Sequence, residues 1–194
     1  MINKIIKIFL SAPLSAKFGI LIILFFSIIS IFAPLIAPYG ETEIIGRSYE
    51  VWSEKHLLGT DNLGRDMLSR LIFGARNTIG MALFTTFLAF LIGGVLGMIA
   101  AVIGGWIDQI LGRIVDVLMS IPSLIFALLI LSFFGTSITY LIATCAILEA
   151  TRVFRLARAT AMNVAVMDYV EVAQLRGEKL GWIVRKEILP NITA

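Results

Sequence analysis

Side chains able to do chemistry collect in two stretches of an otherwise apolar chain, KHLLGTDNLGRDMLSR at residues 55–70 and DYVEVAQLRGEKLGWIVRKEILPN at residues 168–191. The first holds the single histidine, His56, close to Asp61 and Asp66. No second histidine exists and Cys145 is the one cysteine, so the Cys/His sets that hold zinc cannot be assembled. H-E-x-x-H, G-x-S-x-G and G-x-x-x-x-G-K-[ST] are all absent, which removes the zinc-protease, serine-hydrolase and phosphate-loop chemistries. No catalytic and no metal-binding residue is therefore expected, and His56 is expected as a surface or capping residue. The second stretch reads as a small exposed knob of two short helices around a glycine. Asp168 and Glu171 have the spacing of a capping box, N-cap to N3. A short helix carrying Val172, Ala173 and Leu175 would end at Gly177, which tolerates the left-handed conformation. A second helix over about 179–188 would be stopped by Pro190.

The elements that must position these residues are dictated by hydropathy. Of the 194 residues, 59% are hydrophobic and 15% charged, against about 25% charged in a soluble domain, and mean hydropathy is +0.96. Residues 18–40, 77–107 and 117–148 contain no charged side chain. About 20 apolar residues cross the hydrocarbon core, and the third run is interrupted by Phe134-Gly135-Thr136-Ser137. Four transmembrane helices follow, at 18–38, 78–103, 115–134 and 138–157. They are flanked by an N-terminal segment (1–17), a segment on the far side (39–77) and a C-terminal loop (158–194). The first run is too long for the core of a signal peptide and reads as a retained anchor. Eleven of the 16 Lys and Arg residues fall on one side in this arrangement, and the other five share their side with six carboxylates. The positive-inside rule places both termini in the cytoplasm. The fold class is an all-α membrane protein with a cytoplasmic helix-turn-helix loop, embedded in a lipid bilayer. Basic residues are not interleaved with exposed aromatics, so nucleic acid is not expected as a partner. Cys145, alone within the fourth span, can form no internal disulfide and is expected to pack.

Finer expectations follow from spacing. Met67, Leu68, Leu71 and Ile72 predict a helix before the second span. Gly93-x-x-x-Gly97 allows close helix approach, within the chain or between subunits. Arg113 and Asp116 are placed to pair at (i, i+3), and Pro122 to kink the third span. Glu149 and Arg152 are expected to form an interfacial ion pair beside snorkelling arginines, with a substrate-facing role as the alternative. Thr85, Thr86, Ser120, Ser132 and Thr144 would line a pathway or bond to helix backbone.

EVAQLRG, followed ten residues later by ILP, resembles the EAA loop of membrane subunits of ABC importers, E-A-A-x-x-x-G…L-P. Val172 stands where that motif has alanine, and Glu187 where an apolar residue is common. HLLGTDNLGRDMLSRLIFGAR and GGWIDQILGRIVDVLMSIPSL are similar to segments of the dipeptide/oligopeptide/nickel permeases, and the LGTD-x-x-GRD segment after the first span resembles their second, C-type permease. The resemblance implies a six-span type I importer permease whose core domain begins at about residue 78. This chain then covers four of the spans and is expected to be C-terminally incomplete. It also implies a bacterial inner-membrane location and import of dipeptides or oligopeptides, with nickel, glutathione and opines equally compatible. Implied partners are a paired permease subunit, two cytoplasmic ATPase subunits that hold the ATP and Mg, and an extracytoplasmic solute-binding protein. This chain itself would need no cofactor. Asp168, Glu171, Ala173, Gly177, Leu189 and Pro190 would form the ATPase-coupling loop, and Gly59, Thr60, Asp61, Gly64, Arg65 and Asp66 the subfamily motif outside. The alternative is a non-transporting remnant or adaptor that only docks an ATPase; an intramembrane enzyme is disfavoured, because no paired intramembrane carboxylates are present.

Overall fold

A computed structural model describes residues 13–192; the first twelve residues of the expected 1–17 segment lie outside it. The chain forms two compact units, the first ending at Gly80 and the second beginning at Met81.

In the first unit, helix α1 (Leu14–Ile36) starts after Pro13, whose extended backbone cannot belong to a helix. It ends at Ala37, which precedes Pro38 and takes the extended conformation that a following proline imposes. Its 23 residues reach about 35 Å, and of its side chains only Ser30 and Ala33 are buried. A helix this apolar that buries so little of itself is suited to lipid rather than to water. Residues 37–66 form an irregular, hydrogen-bonded segment that leads into α2 (Met67–Ala89). The helix predicted from Met67 to Ile72 is thus the first part of a continuous 37-residue helix, Met67–Ile103, which also contains the expected second span.

The second unit opens within that long helix. A wide π turn (Phe90–Gly94) links α2 to α3 (Val95–Ile103), and Gly104 and Gly105, both at positive φ, turn the chain into α4 (Gly105–Ser120). Then come α5 (Ser123–Phe134), α6 (Ile138–Ala165), α7 (Asp168–Leu175), α8 (Leu180–Ile183), a second π turn (Val184–Ile188) and α9 (Leu189–Ile192). The third span was expected as one kinked helix over 115–134. Instead α4 and α5 meet at 90°. Pro122 has no N–H to continue α4, and Ile121 before it is extended at φ −84°, ψ 127°. The expected fourth span, 138–157, is the first part of the 28-residue α6, which carries Glu149, Arg152 and Arg155 in its first five turns. Among the described residues, two helices are long and apolar enough to cross a membrane, and a third if the bent α4–α5 pair counts as one span.

The core of this unit is a seam between α6 and the π turn with α3. Ala89, Ala100, Ala146, Ala150 and Ala161 are buried along it, with Phe154 the large side chain among them. A Cβ on Gly93 would lie well inside 3.0 Å of the Ala150 carbonyl oxygen, and one on Gly97 would lie 2.6 Å from that of Phe154. Gly93-x-x-x-Gly97 therefore serves packing within this chain. The hydroxyls of Ser120, Ser132 and Thr144 donate to the carbonyls of Val117, Leu129 and Tyr140, the local bonding that lets such residues sit in apolar helices.

Because the Gly93 obstruction is backbone, it cannot rotate away. Gly93→Ala should lower stability by about 1–3 kcal/mol, read as a reduced midpoint of thermal unfolding in detergent. Gly94→Ala, whose added carbon meets nothing within 4 Å, should be neutral or better, since alanine favours helix. Equal midpoints for the two variants would contradict the seam.

Candidate functional site

The polar C-terminal stretch folds as a knob. Its first helix, α7, does not start with the expected capping box: Met167 occupies the N-cap position and Asp168 the first helical one, with no side-chain capping bond. The Met167 carbonyl accepts from the N–H groups of Val170 and Glu171 instead. Asp168 and Glu171 still sit in the first turn, where the helix dipole favours negative charge. Gly177 ends the helix as predicted, at φ +76°. Its N–H donates to Gln174 and that of Glu178 to Ala173, at 2.9 and 3.2 Å, the paired bonds of a Schellman end. The second helix does not stop at Pro190. Instead the π turn Val184–Ile188 precedes the proline, α9 runs on to Ile192, and Asn191 Nδ2 donates to the Glu187 carbonyl at 2.6 Å. A wide turn absorbs the register change around a residue that has no N–H to give.

Four side chains anchor the knob. Val170, Ala173, Ile183 and Ile188 are buried in one cluster with Met98 of α3 and Ala161 of α6, walled by Ala101, Val102, Val164 and Ala165. Ala173, expected among the docking residues, is only 3% exposed and so faces the helices beneath. Asp168, Glu171, Gly177, Leu189 and Pro190 are exposed. Beside them stand two apolar residues that the motif did not single out, Val172 at 52% and Leu175 at 81% exposure.

Below the knob, α4 and α6 are tied by charge. Arg158 makes a two-point contact through Nε and Nη2 with both carboxylate oxygens of Asp108, the fork geometry that arginine alone offers. Arg155 binds Asp116 at 2.9 Å, so Asp116 pairs across helices rather than with Arg113 as its spacing suggested. The Glu149–Arg152 pair forms as expected, at 3.0 Å. Nothing local could have revealed the Asp108–Arg158 bond, which joins residues fifty positions apart.

The 55–70 stretch is organised around its own backbone. Asp61 accepts from the N–H groups of Leu63 and Arg65 at 2.8 and 3.0 Å, from Arg65 Nε at 2.8 Å and from Arg70 Nη1 at 2.6 Å. Burial alone would raise its pKa, but the hydrogen bonds from the backbone of Arg65 and Leu63 and from the Arg65 side chain outweigh it and hold the carboxyl well below the usual carboxylate range. Thr60 Oγ1 accepts from the Glu50 N–H and donates to the Arg47 carbonyl. Gly59 and Gly64 take positive φ against the carbonyls of Glu50 and Gly46, positions closed to other residues. Asp66 immediately precedes α2 and accepts from the N–H and the hydroxyl of Ser69, both at 2.8 Å. His56 is not on the surface: it is 6% exposed, its ring centroid 5.7 Å from that of Tyr39 and its Nδ1 3.5 Å from Asp66 Oδ1. Apart from His56 Nδ1, which is buried without a hydrogen-bond partner, these groups satisfy one another and fix the loop. No set of three or more metal-ligating side chains gathers among the described residues.

Long apolar helices packed along a glycine seam define a helical membrane component. Comparison with known proteins agrees. The family model described as "Binding-protein-dependent transport system inner membrane component" matches residues 93–193, over half of the chain. The chain belongs to this family. It is 34% identical to the dipeptide transport system permease protein of Alkalihalophilus pseudofirmus, over 91% of this chain and 58% of that protein. With the corresponding dipeptide permease of Haemophilus influenzae the identity is 33%, over 92% and 63%. With the glutathione transport system permease protein of Pectobacterium atrosepticum it is 29%, over 94% and 61%. The chain spans about three fifths of the length of these curated relatives.

The Asp61 bonds carry a pH dependence. A depressed folded pKa adds stability that is complete above the unfolded value, about 4, and is lost as pH falls toward the folded one. Backbone amides of the 45–66 segment should therefore exchange with solvent increasingly fast, relative to a free-peptide reference at each pH, as pH drops below about 4. In Asp61→Asn, the exchange relative to that reference should already be fast at pH 5–6, with little further pH dependence. A wild-type and a variant profile of the same shape would contradict this role.

Proposed function

We propose that the chain is a permease subunit of an ATP-driven, binding-protein-dependent importer, and that its knob couples ATPase closure to movement of the spans. The observation that carries this reading is the division of α7 into two faces. Val170 and Ala173 are buried against α3 and α6, while Glu171, Val172 and Leu175 are turned outward. An exposed leucine and valine beside a carboxylate, on a helix rooted in the core, suit a partner's groove. Force applied to such a helix passes directly into the helices below it, and coupling requires contacts that differ between two states.

On this reading α1, α2–α3, the α4–α5 pair and α6 are four crossings, with the knob and both described ends of the chain in the cytoplasm. By the same reading α6 is the fourth crossing, its first eleven residues free of charge and its Glu149 and Arg155 paired with Arg152 and with Asp116 of α4. The partners are a second permease, two ATPases that hold ATP and Mg, and an external binding protein. The solute class is peptide-like, supported by relatives named for dipeptide transport; glutathione, itself a peptide, belongs to the same class.

Gly177 tests the coupling. Its positive φ strains any other residue, although open space surrounds it, so a large side chain alters the docking face and the pivot together. In the reconstituted importer, Gly177→Trp should leave membrane insertion and basal ATP hydrolysis intact and lower dipeptide uptake by about tenfold or more, on the order of 1.4 kcal/mol of coupling. Gly181→Ala, also in open space but without the positive φ, should transport normally. Undiminished uptake by Gly177→Trp would sink the assignment.

A further inference from the structure

The bend between α4 and α5 faces a stretch of α6 that is unusual for a crossing helix. Between them lies a cleft of about 430 Å³, walled by Leu118, Met119, Pro122 and Leu124 on one side and by Cys145, Glu149 and Arg152 on the other. That volume lies in the range of small-molecule sites, about 300–1,000 Å³. Cys145, Glu149 and Arg152 are spaced by four and three residues, so they form a single stripe along one face of the helix.

Glu149 is the twelfth residue of α6 and follows eleven residues without a charge. On the permease reading α6 crosses the membrane, and charged side chains within a crossing helix are rare outside functional positions. Its partner is Arg152, Nη1 to Oε1 at 3.0 Å, and the side chains are 49% and 68% exposed. The other two arginines of α6 are used between helices, Arg155 by Asp116 and Arg158 by Asp108. Among the described residues, Glu149 and Arg152 bond to each other within α6 and not to α4 or α5. Their pairing keeps a carboxylate and a guanidinium neutralised at the cleft wall, and it can be opened without loosening the fold.

Resting on the permease reading, we propose that Glu149 and Arg152 form a waypoint in the solute path that takes a zwitterion. The solute's ammonium replaces Arg152 at the Glu149 carboxylate, and its carboxylate takes the guanidinium, which binds carboxylates in two-point fashion. One ion pair becomes two, so no net charge enters the membrane uncompensated. A solute lacking either charge would leave one member of the opened pair unpaired, and is rejected for that reason.

The single cysteine makes this testable. In the assembled importer in inside-out vesicles, alanyl-alanine should slow maleimide labelling of Cys145, whereas N-acetyl-alanyl-alanine amide, without either charge, should not. Glu149→Gln and Arg152→Gln should each abolish that protection and lower alanyl-alanine uptake by about tenfold or more. The double variant Glu149→Gln/Arg152→Gln separates this role from a structural one. It leaves no unpaired charge, so a merely structural pair predicts recovered uptake, whereas the waypoint predicts normal membrane levels and basal ATP hydrolysis with uptake still lost. Recovered uptake in the double variant, or equal slowing of labelling by the two probes, overturns the waypoint and leaves the permease reading intact. An assembled wild-type importer that moves no peptide-like solute would overturn the permease reading itself.

Discussion

Two backbones in contact set the geometry of the second unit. At Gly93 and Gly97 the π turn and α3 approach α6 so closely that the nearest atoms across the seam are the carbonyl oxygens and amide nitrogens of residues 150–158. Lipid tails are as apolar as leucine, so burying more hydrocarbon would not hold these helices together; close packing of small residues does. Once α3 lies that close, Met98 reaches Ala161 and forms the floor on which Val170, Ala173, Ile183 and Ile188 rest. A wider seam would leave the knob without a base.

The seam also makes α6 the member that connects everything else. Its 28 residues run about 42 Å. Along them come the cleft residues Cys145 and Glu149, the seam residues Ala150 and Phe154, the bonds of Arg155 and Arg158 to α4, and Ala161 beneath the knob. α4 is fastened to this helix at two levels, and the weights differ. Arg155 and Asp116 are each more than half exposed, and pairs in that setting contribute little. Arg158 and Asp108 are more enclosed and meet through two bonds, so that pair fixes the position of α4. The Pro122 bend then sends α5 off at a right angle from a fastened end, and the cleft is the space so created.

Much of this was legible in the sequence because the signals are local. Charge-free runs mark the apolar helices, Gly177 marks the end of α7, and Gly93-x-x-x-Gly97 marks a close approach. Spacing could not reveal which partner a side chain chooses when several are in reach. Asp116 had Arg113 one turn away on its own helix, yet tertiary placement brought Arg155 to it. Asp168 lost its capping role because Met167, already extended at φ −79°, ψ 143°, supplied the turn that starts the helix. His56 looked like a surface or capping residue because nothing in the sequence says that Tyr39 and Asp66 enclose it. Pro122 and Pro190 show the same limit from both directions: one divides a predicted span, and the other is carried inside a helix by a π turn.

The two polar stretches, similar on paper, differ in how they spend their hydrogen-bonding capacity. In the 45–66 segment Asp61, Thr60 and Asp66 turn their donors and acceptors inward onto Arg65, Leu63, Arg47, Glu50 and Ser69. In the knob, Glu171 and Arg185 are exposed, and the buried cluster beneath them contains only apolar side chains. A segment that satisfies its own polar groups is built to hold a shape, and its glycines are needed because those bonds demand backbone that other residues refuse. A segment that buries hydrocarbon below and leaves charge and leucine above is built to meet something else. The contrast separates a loop closed on its own hydrogen bonds from a knob that keeps an apolar and charged face open, although both stretches first drew attention for the same polar character.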